Sequence, residues 1–366
     1  MRIMDARSSQ DGYRRARLLL DRLRSKFRRV AWIGLEHEFY FTEGQDPAWG
    51  RVLALYRQGA AGVAEVVPER GEGQHELVFS PSPNIDLISR SHSQAVSLLR
   101  SAADSVGVPV SFMSRPFRDR LGSSLQVSIS LRDEAGVSTF DGPLGSKKET
   151  LQVVNGMLTT ARPLMTAFAP TSNCYQRYQR LIFEDELFSP ATLSWCYGTR
   201  TAAIRIPWTT GMPGGARVEH RLPGAAADPG NAIAAVLYGV YLGLVLGVPP
   251  AIPKLLGKAI QSADLTLPAT LQAARRLPLP EFFATSGGGL PGSELRVSAA
   301  TAEALSLAAR LVCLPPPRLV PDTPITTIWG RNGSSHWTVK QSAISASVRG
   351  CADRAPLLTV RSRHGQ

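Results

Sequence analysis

The chain has 366 residues, and 43% of them are hydrophobic, so it can bury a large core in one domain or two. Its formal net charge is +12, and only six of its 41 basic residues are Lys. Such an Arg surplus suits phosphate-bearing ligands or nucleic acid, although a GC-rich genome produces the same bias. No nucleic-acid motif and no basic stripe with interleaved aromatic residues is present. Composition therefore indicates a globular protein without a nucleic-acid partner.

The four cysteines show no CxxC spacing, and the N-terminus carries no apolar signal-peptide core. Both features favour reduced thiols in the cytoplasm. The run Ala232–Val248 is almost wholly apolar and nearly long enough to span a bilayer. Three glycines interrupt it and no second span accompanies it, so we predict a buried core helix and no membrane partner.

Hydrophobic periodicity predicts mixed helices and strands along the chain. An amphipathic helix over residues 12–29 leads into a strand at 34–41. The other predicted elements are, in chain order, helix 46–66, a strand from residue 74, helix 84–106, strands 108–113 and 122–131, helix 147–166, strands within 195–207 and 217–221, a helix from residue 231 and a late helix at 267–277.

Two carboxylates stand at alternate positions of the strand GLEHEFYF. Side chains at i and i+2 of a strand share one face, so Glu36 and Glu38 lie side by side. Burying two unpaired anions is costly, and a cation usually accompanies them. Carboxylate oxygen is the ligand that Mg²⁺ and Mn²⁺ prefer. This strand therefore predicts a divalent metal site.

Two further strands carry polar side chains on one face. Gln74 and Glu76 share a face of one strand, and Arg217, Glu219 and Arg221 share a face of another. Together with the first strand they predict a charged basin floored by an antiparallel sheet, suited to metal-bound polyphosphate and a carboxylate substrate. Alternation sends the intervening histidines to the opposite face, where we expect packing roles: they are His37, His75 and His220.

Six motifs in order, GLEHEF, E-x4-GQHE, GSSLQVSISL, SNCYQR, WCYGTRTAAIRIP and RVEHRLPGAAADP, resemble the catalytic domain of the glutamine synthetase family over about residues 12 to 250. The resemblance implies an α+β fold in which a curved antiparallel sheet forms the active-site basin and helices pack behind it. It also implies an ADP-forming ligase. ATP phosphorylates the side-chain carboxylate of glutamate, and an amine then displaces phosphate to give an amide.

The resemblance also implies roles for individual residues. Two or three Mg²⁺ or Mn²⁺ ions per site would be held, one by Glu38, Glu69 and Glu76 and another by Glu36, Glu219 and Gln126. Arg177, Arg221 and Gly122 resemble substrate-binding residues. The residues that resemble the phosphate-facing catalytic set are Arg200, Arg205 and Arg217.

Several positions depart from the family pattern. Gln126 stands where the family has a metal-binding His, and we expect looser binding of that metal. Leu121 and Ser128 replace an Asn and a second His, which puts contacts to the backbone end of glutamate in question. The acidic cluster at residues 184–186 is either a solvated turn or the replacement for a flap Glu over the reacting amine.

The domain prediction is a catalytic domain at 12–281, a divergent region at 282–353 and a disordered tail at 354–366. The family's small N-terminal domain does not precede the first helix, so we expect an amine other than ammonia, and either a homo-oligomer or a separately encoded partner. Two alternatives to the γ-glutamyl amide ligase stay open. One is a ligase with a non-glutamate acyl substrate, and the other is a non-catalytic binding or assembly subunit.

Overall fold

Polar and apolar residues alternate along the strands of one mixed sheet. The computed structural model describes residues 8–60, 62–140, 148–179, 189–190, 192–208, 215–252, 254–255 and 266–284. These residues belong to a compact unit that ends at Leu314. The predicted tail 354–366, and the predicted region 282–353 beyond its first three residues, lie outside the described part of the chain.

Eight strands of the described residues form this sheet, in the order β2-β3-β1-β5-β8-β7-β6, with β4 paired to β1. The longest strand, β1, lies between β3 and β5. The strands are β1 (Val30–Phe41), β2 (Glu65–Pro68), β3 (Gln74–Val78), β4 (Val110–Ser111), β5 (Leu125–Arg132), β6 (Trp195–Tyr197), β7 (Ile204–Ile206) and β8 (Val218–His220).

One strand pair corrects the prediction of an antiparallel sheet. β6 and β7 pair in parallel, with Trp195 opposite Ile204, whereas the other pairs are antiparallel. Parallel neighbours normally need a long crossover. Here each strand has only three residues, so a short loop that turns at Gly198 (φ 79°) suffices to bring the chain back. The α+β class is confirmed, with a mixed sheet.

Capping side chains mark the starts of two long helices. The Asn84 side chain accepts hydrogen bonds from the backbone N–H groups of Asp86 and Leu87 at the start of α3, and Gly107 ends this helix at φ 74°. Asp228 caps α7 in the same way, and this helix begins at Pro229, two residues before the predicted residue 231. The helices are α1 (Ser8–Phe27), α2 (Asp46–Gly59), α3 (Ile85–Val106), α4 (Lys148–Ala161), α5 (Met165–Phe168), α6 (Ser172–Gln176), α7 (Pro229–Leu246), α8 (Leu271–Arg275) and α9 (Glu281–Ala284).

Helix α7 forms the core behind the sheet, between α1 and α4. Among the described residues it is the one helix long and apolar enough to cross a membrane, and 78% of it is buried inside the protein. A Cβ on Gly156 of α4 would overlap the backbone of Gly239 and Gly243 of α7. Glycine thus permits the two helices to touch backbone to backbone, which confirms the predicted core helix.

Three predicted elements have the wrong bounds. The helix expected over residues 46–66 ends at Gly59, and β2 follows from Glu65, because Gly62 adopts a positive φ of 76° and the valines after it favour a strand. The strand expected at Val108–Met113 shrinks to two residues. The helix expected over residues 147–166 ends at Ala161, and α5 is a separate short turn.

Candidate active site

The polar face of the sheet lines a basin of about 270 Å³. The register explains its floor, because Glu38 lies opposite Glu76, Glu36 opposite Gln126, and Glu219 opposite Arg205. All twelve predicted site residues line this basin. The full lining is Glu36, Glu38, Glu69, Arg70, Gln74, Glu76, Leu121, Gly122, Ser124, Gln126, Arg177, Ser189, Arg200, Arg205, Arg217, Glu219 and Arg221.

We call Glu38, Glu69 and Glu76 the acidic half of the basin. Each offers a carboxylate oxygen, and these oxygens lie within 4.8 Å of one another. Glu38 and Glu76 are buried, and Glu69 is partly buried. Three carboxylates that converge at this distance form the kind of oxygen-rich set that a hard divalent cation prefers.

Neutral donors hold the Glu38 carboxylate in place. Its Oε1 accepts a hydrogen bond from the Ser124 hydroxyl at 2.6 Å and one from Gln126 Nε2 at 3.3 Å. Its Oε2 accepts from the Ser124 backbone N–H at 2.8 Å and from Gln74 Nε2 at 3.3 Å. Metal-ligating carboxylates commonly have such supporting hydrogen bonds, which fix their orientation.

Burial and mutual repulsion disturb the protonation of these acids. Burial, followed by the charges of Glu36, Glu38 and Glu69, raises the pKa of Glu76 to about 9. Burial also raises the pKa of Glu38 and of Glu36, and the Glu219 charge raises the pKa of Glu36 further. A bound cation would favour the ionised carboxylates and oppose these shifts. The donor set of the acidic half therefore fits a divalent metal ion.

Glu219 and the three guanidinium groups around it form the arginine half. Glu219 Oε2 accepts a hydrogen bond from Arg205 Nη1 at 2.7 Å. Its Oε1 accepts from Arg217 Nε at 3.1 Å and from Arg217 Nη2 at 2.9 Å. Arg221 Nη1 lies 3.7 Å from Oε2. This carboxylate is thus enclosed by positive charge before any ligand arrives.

Gln126 lies between the two halves. Its side-chain oxygen accepts a hydrogen bond from Arg221 Nη1. Its amide nitrogen lies 3.3 Å from Glu38 Oε1 and 3.4 Å from Glu76 Oε1. The residue predicted as a metal ligand therefore presents N–H groups to the carboxylates and its oxygen to a guanidinium group.

Arg177 and Gly122 lie together at one end of the basin. Arg177 is buried, and its guanidinium donates to the carbonyls of Leu222 and Arg221 at 3.2 Å, while its Nε has no partner among the described residues. A Cβ on Gly122 would approach Arg177 Cγ to 2.7 Å and Ser114 O to 2.9 Å. Glycine is therefore required beside this Arg.

The remaining arginines differ in exposure. Arg205 is partly buried and donates from Nε to the carbonyl of Gly198 at 2.9 Å. Arg200 is exposed at the rim, and its carbonyl accepts from Arg221 Nε at 3.1 Å. Burial lowers the pKa of Arg221. Two of the three predicted phosphate-facing residues, Arg205 and Arg217, are thus held by Glu219, and the third projects toward solvent.

The histidines between the acids point away from the basin, as predicted. His37 Nε2 donates to the Ala225 carbonyl at 2.9 Å, so its Nδ1 accepts from His92 Nε2 at 2.9 Å. Burial lowers the pKa of His37 to about 3. His220 packs on Phe168 with ring centroids 4.3 Å apart. None of the three predicted packing histidines lines the basin.

Five lining residues are not among the twelve predicted site residues, although Gln74 was expected on the basin floor and Leu121 at a substrate-contact position. Gln74 and Ser124 precede Glu76 and Gln126 by two positions, so strand alternation already indicated the face on which they lie. Their hydrogen bonds to Glu38 required the tertiary structure. The five are Arg70, Gln74, Leu121, Ser124 and Ser189. The acidic residues 184–186 lie outside the described part of the chain.

Comparison with known proteins places the chain in a family. Residues 39–277 match the family model described as the glutamine synthetase catalytic domain. A glutamine synthetase of Pyrococcus abyssi is 32% identical over 51% of this chain and 41% of the relative. The gamma-glutamylputrescine synthetase PuuA of Escherichia coli is 28% identical over 49% of this chain and 36% of the relative. The matched region thus spans about two fifths of these relatives.

Solved structures agree on the fold. The structure titled "GmaS/ADP complex-Conformation 1" has a TM-score of 0.60 and 22% identity, and the match covers 82% of this chain and 73% of that one. An apo GmaS structure has the same TM-score and identity. The family model covers the segment that supplies β3, β5, β7 and β8, which carry most of the basin floor. This protein belongs to the glutamine synthetase catalytic-domain family.

Proposed function

We propose that this protein is an ATP-dependent, ADP-forming ligase that joins glutamate to an amine other than ammonia and makes a γ-glutamyl amide. The observation that carries this proposal is the basin itself. One sheet face brings together three converging carboxylates and, beside them, arginines held around Glu219. The pairing suits a cation-assisted phosphoryl transfer to a carboxylate.

The reaction has two steps in this proposal. An oxygen of the glutamate side-chain carboxylate attacks the γ-phosphorus of ATP, the bond to the β-phosphate oxygen breaks, and ADP leaves. The amine nitrogen then attacks the carbonyl carbon of the acyl phosphate, phosphate leaves, and the nitrogen loses a proton. A divalent cation, Mg²⁺ or Mn²⁺, held by the acidic half would neutralise charge on the transferring phosphoryl group.

The residues of the chain position and neutralise the reactants. Arg177, with its unpartnered Nε, is suited to bind a substrate carboxylate, because the planar guanidinium matches carboxylate geometry. Arg205 and Arg217 are assigned to the phosphates, and Arg200 at the exposed rim to the outer phosphates. Ser124 and Gln74 keep Glu38 in its orientation through the hydrogen bonds described above.

The choice of an organic amine rests on the named relatives. PuuA is a gamma-glutamylputrescine synthetase, whereas the Pyrococcus relative is a glutamine synthetase, so the family includes both kinds of product. The PuuA product supports an amine other than ammonia for this chain. We also propose that the protein forms a homo-oligomer in the cytoplasm, which its mass in solution and cell fractionation would test.

A second acyl substrate class is supported by Leu121. This apolar side chain lines the basin beside Gly122, at the end where the resemblance implies an Asn that faces the backbone end of glutamate. An apolar group at this point suits an acid that lacks the α-amino group. Glutarate and other carboxylic acids therefore belong in the substrate panel.

The test is phosphate release from ATP by the purified full chain. The assay contains Mg²⁺ or Mn²⁺, glutamate or a second acid, and one amine from a panel of ammonia, primary monoamines and diamines that includes putrescine. We expect amine-dependent phosphate release, weakest with ammonia, and a product mass equal to acid plus amine minus water. No release with any combination would contradict the ligase and favour a non-catalytic binding role.

A further inference from the structure

The donors around Glu219 differ in kind from the donors around Glu38. Arg205 and Arg217 occupy both oxygens of Glu219 with charged donors at 2.7 to 3.1 Å. Hydrogen bonds from ionised donors are roughly twice as strong as neutral ones. Glu38 instead accepts from amide and hydroxyl groups, two of them at 3.3 Å. A cation displaces the neutral donors of Glu38 far more readily than the guanidinium groups of Glu219.

Charge separates the halves further. Three guanidinium groups lie within 4.0 Å of the Glu219 carboxylate, at 2.7, 2.9 and 3.7 Å, and Glu36 is the other acid that the resemblance assigns to this metal. Three positive charges therefore surround the Glu219 carboxylate, and a divalent cation brought to its oxygens would meet their repulsion. In the acidic half, three carboxylates converge with neutral donors around Glu38.

Gln126 cannot offer its side-chain oxygen to a metal ion by flipping its amide group. In the observed orientation its oxygen accepts from Arg221 and its nitrogen faces Glu38 and Glu76. The reversed amide would place its N–H groups against the guanidinium donor and its oxygen against the two carboxylates. Both contacts would be repulsive, so the surrounding charges determine a single orientation.

We propose that this chain itself holds one divalent cation, in the acidic half, and that Arg205 and Arg217 take the place of the second ion. Glu219 then acts as a positioning residue that aims these two guanidinium groups at the phosphates. The proposal replaces the two or three ions that the resemblance implies. The role given to the arginines rests on the proposed function, whereas the ion count does not.

The test is a Mn²⁺ titration of the nucleotide-free full chain, in which electron paramagnetic resonance counts free Mn²⁺. We expect one equivalent per chain. Glu76→Gln should weaken its binding by about tenfold or more, whereas the matched change Glu219→Gln should leave the count unchanged and the affinity within about twofold. If Glu219→Gln does not fold, the count for the unaltered chain alone decides.

Zero or two tight equivalents in the unaltered chain, or loss of one equivalent in Glu219→Gln, would overturn the proposal. A gain-of-site variant tests its cause. Gln126→His combined with Arg217→Met should add a second Mn²⁺ equivalent, and no gain would contradict the assigned role of these two side chains. The titration contains no substrate, so its result does not depend on ligase activity. A protein that binds one ion but shows no ligase activity would refute the proposed function and leave the ion count unaffected.

Discussion

The two halves of the basin each contain buried carboxylates, yet they differ in electrostatics. In the acidic half, carboxylates from β1, β3 and the loop before β3 face one another, and burial and mutual repulsion raise the pKa of Glu76 to about 9. In the arginine half, Glu219 is as buried but enclosed by guanidinium groups. The charges next to a buried carboxylate, more than its burial, therefore decide whether it can bind a cation.

The largest expected effect is the loss of Glu38, which occupies the centre of the acidic half. Glu38→Ala should lower ligase activity by about 10²–10³-fold or more, because the cation loses a buried ligand that four hydrogen bonds hold in place. Steady-state phosphate release measures this. Glu65→Ala, an exposed acid on edge strand β2, serves as the control and should keep full activity. Normal turnover in Glu38→Ala would show that this half does not hold the catalytic cation.

In the arginine half, Arg205→Met should lower kcat/KM for ATP by about 10²-fold, since it removes a guanidinium assigned to the phosphates. Mn²⁺ binding should remain within about twofold of the unaltered chain. Arg90→Met, an exposed position on α3, is the matched control. A drop in Mn²⁺ affinity equal to the drop in activity would contradict the assignment of cation binding to the acidic half alone.

A smaller effect is expected from the supporting residues of the acidic half. Gln74→Ala removes one of the two donors to Glu38 Oε2 and should weaken Mn²⁺ binding by about 10-fold. Thermal unfolding of the metal-free variant distinguishes this from a general loss of structure. Unchanged Mn²⁺ affinity in a folded variant would show that Ser124 and Gln126 suffice to orient Glu38.

The smallest effect concerns stability. Because the folded-state pKa of Glu76 is raised from 4.5 to about 9, its stabilising contribution is fully present below pH 4.5 and is lost as the pH rises towards 9. Glu76→Gln should therefore raise the free energy of unfolding of the metal-free protein at pH 8 by about 1–2 kcal/mol. Urea unfolding with a chelator measures it.

The stability gained by Glu76→Gln should decrease as the pH falls from 8 towards 4.5. At low pH the Glu76 carboxyl of the unaltered chain is protonated in both the folded and the unfolded state. With added Mn²⁺ the unaltered chain should be more stable than Glu76→Gln, since only the unaltered chain gains stability by binding the ion. A variant that is less stable at pH 8 without metal would contradict the repulsion inferred for the acidic half.

Much of the architecture could be predicted from local pattern. Hydrophobic periodicity predicted α3 to within one residue at each end, and the almost wholly apolar run predicted that α7 is buried. The same reasoning extended α2 too far, since periodicity does not register the positive φ of Gly62. It also missed the parallel pairing of β6 and β7, because strand direction is decided by partners distant in the chain.

The sequence by itself determined which side chains share a face, because a strand alternates with period two. Glu36, Glu38, Glu76 and Glu219 were therefore recognisable as one polar surface and their intervening histidines as another. Only the tertiary structure decided what each acid meets. The order β3-β1-β5-β8-β7 gathers carboxylates at one side and guanidinium groups at the other, since contacts across strands depend on register and long-range pairing, which no local pattern encodes.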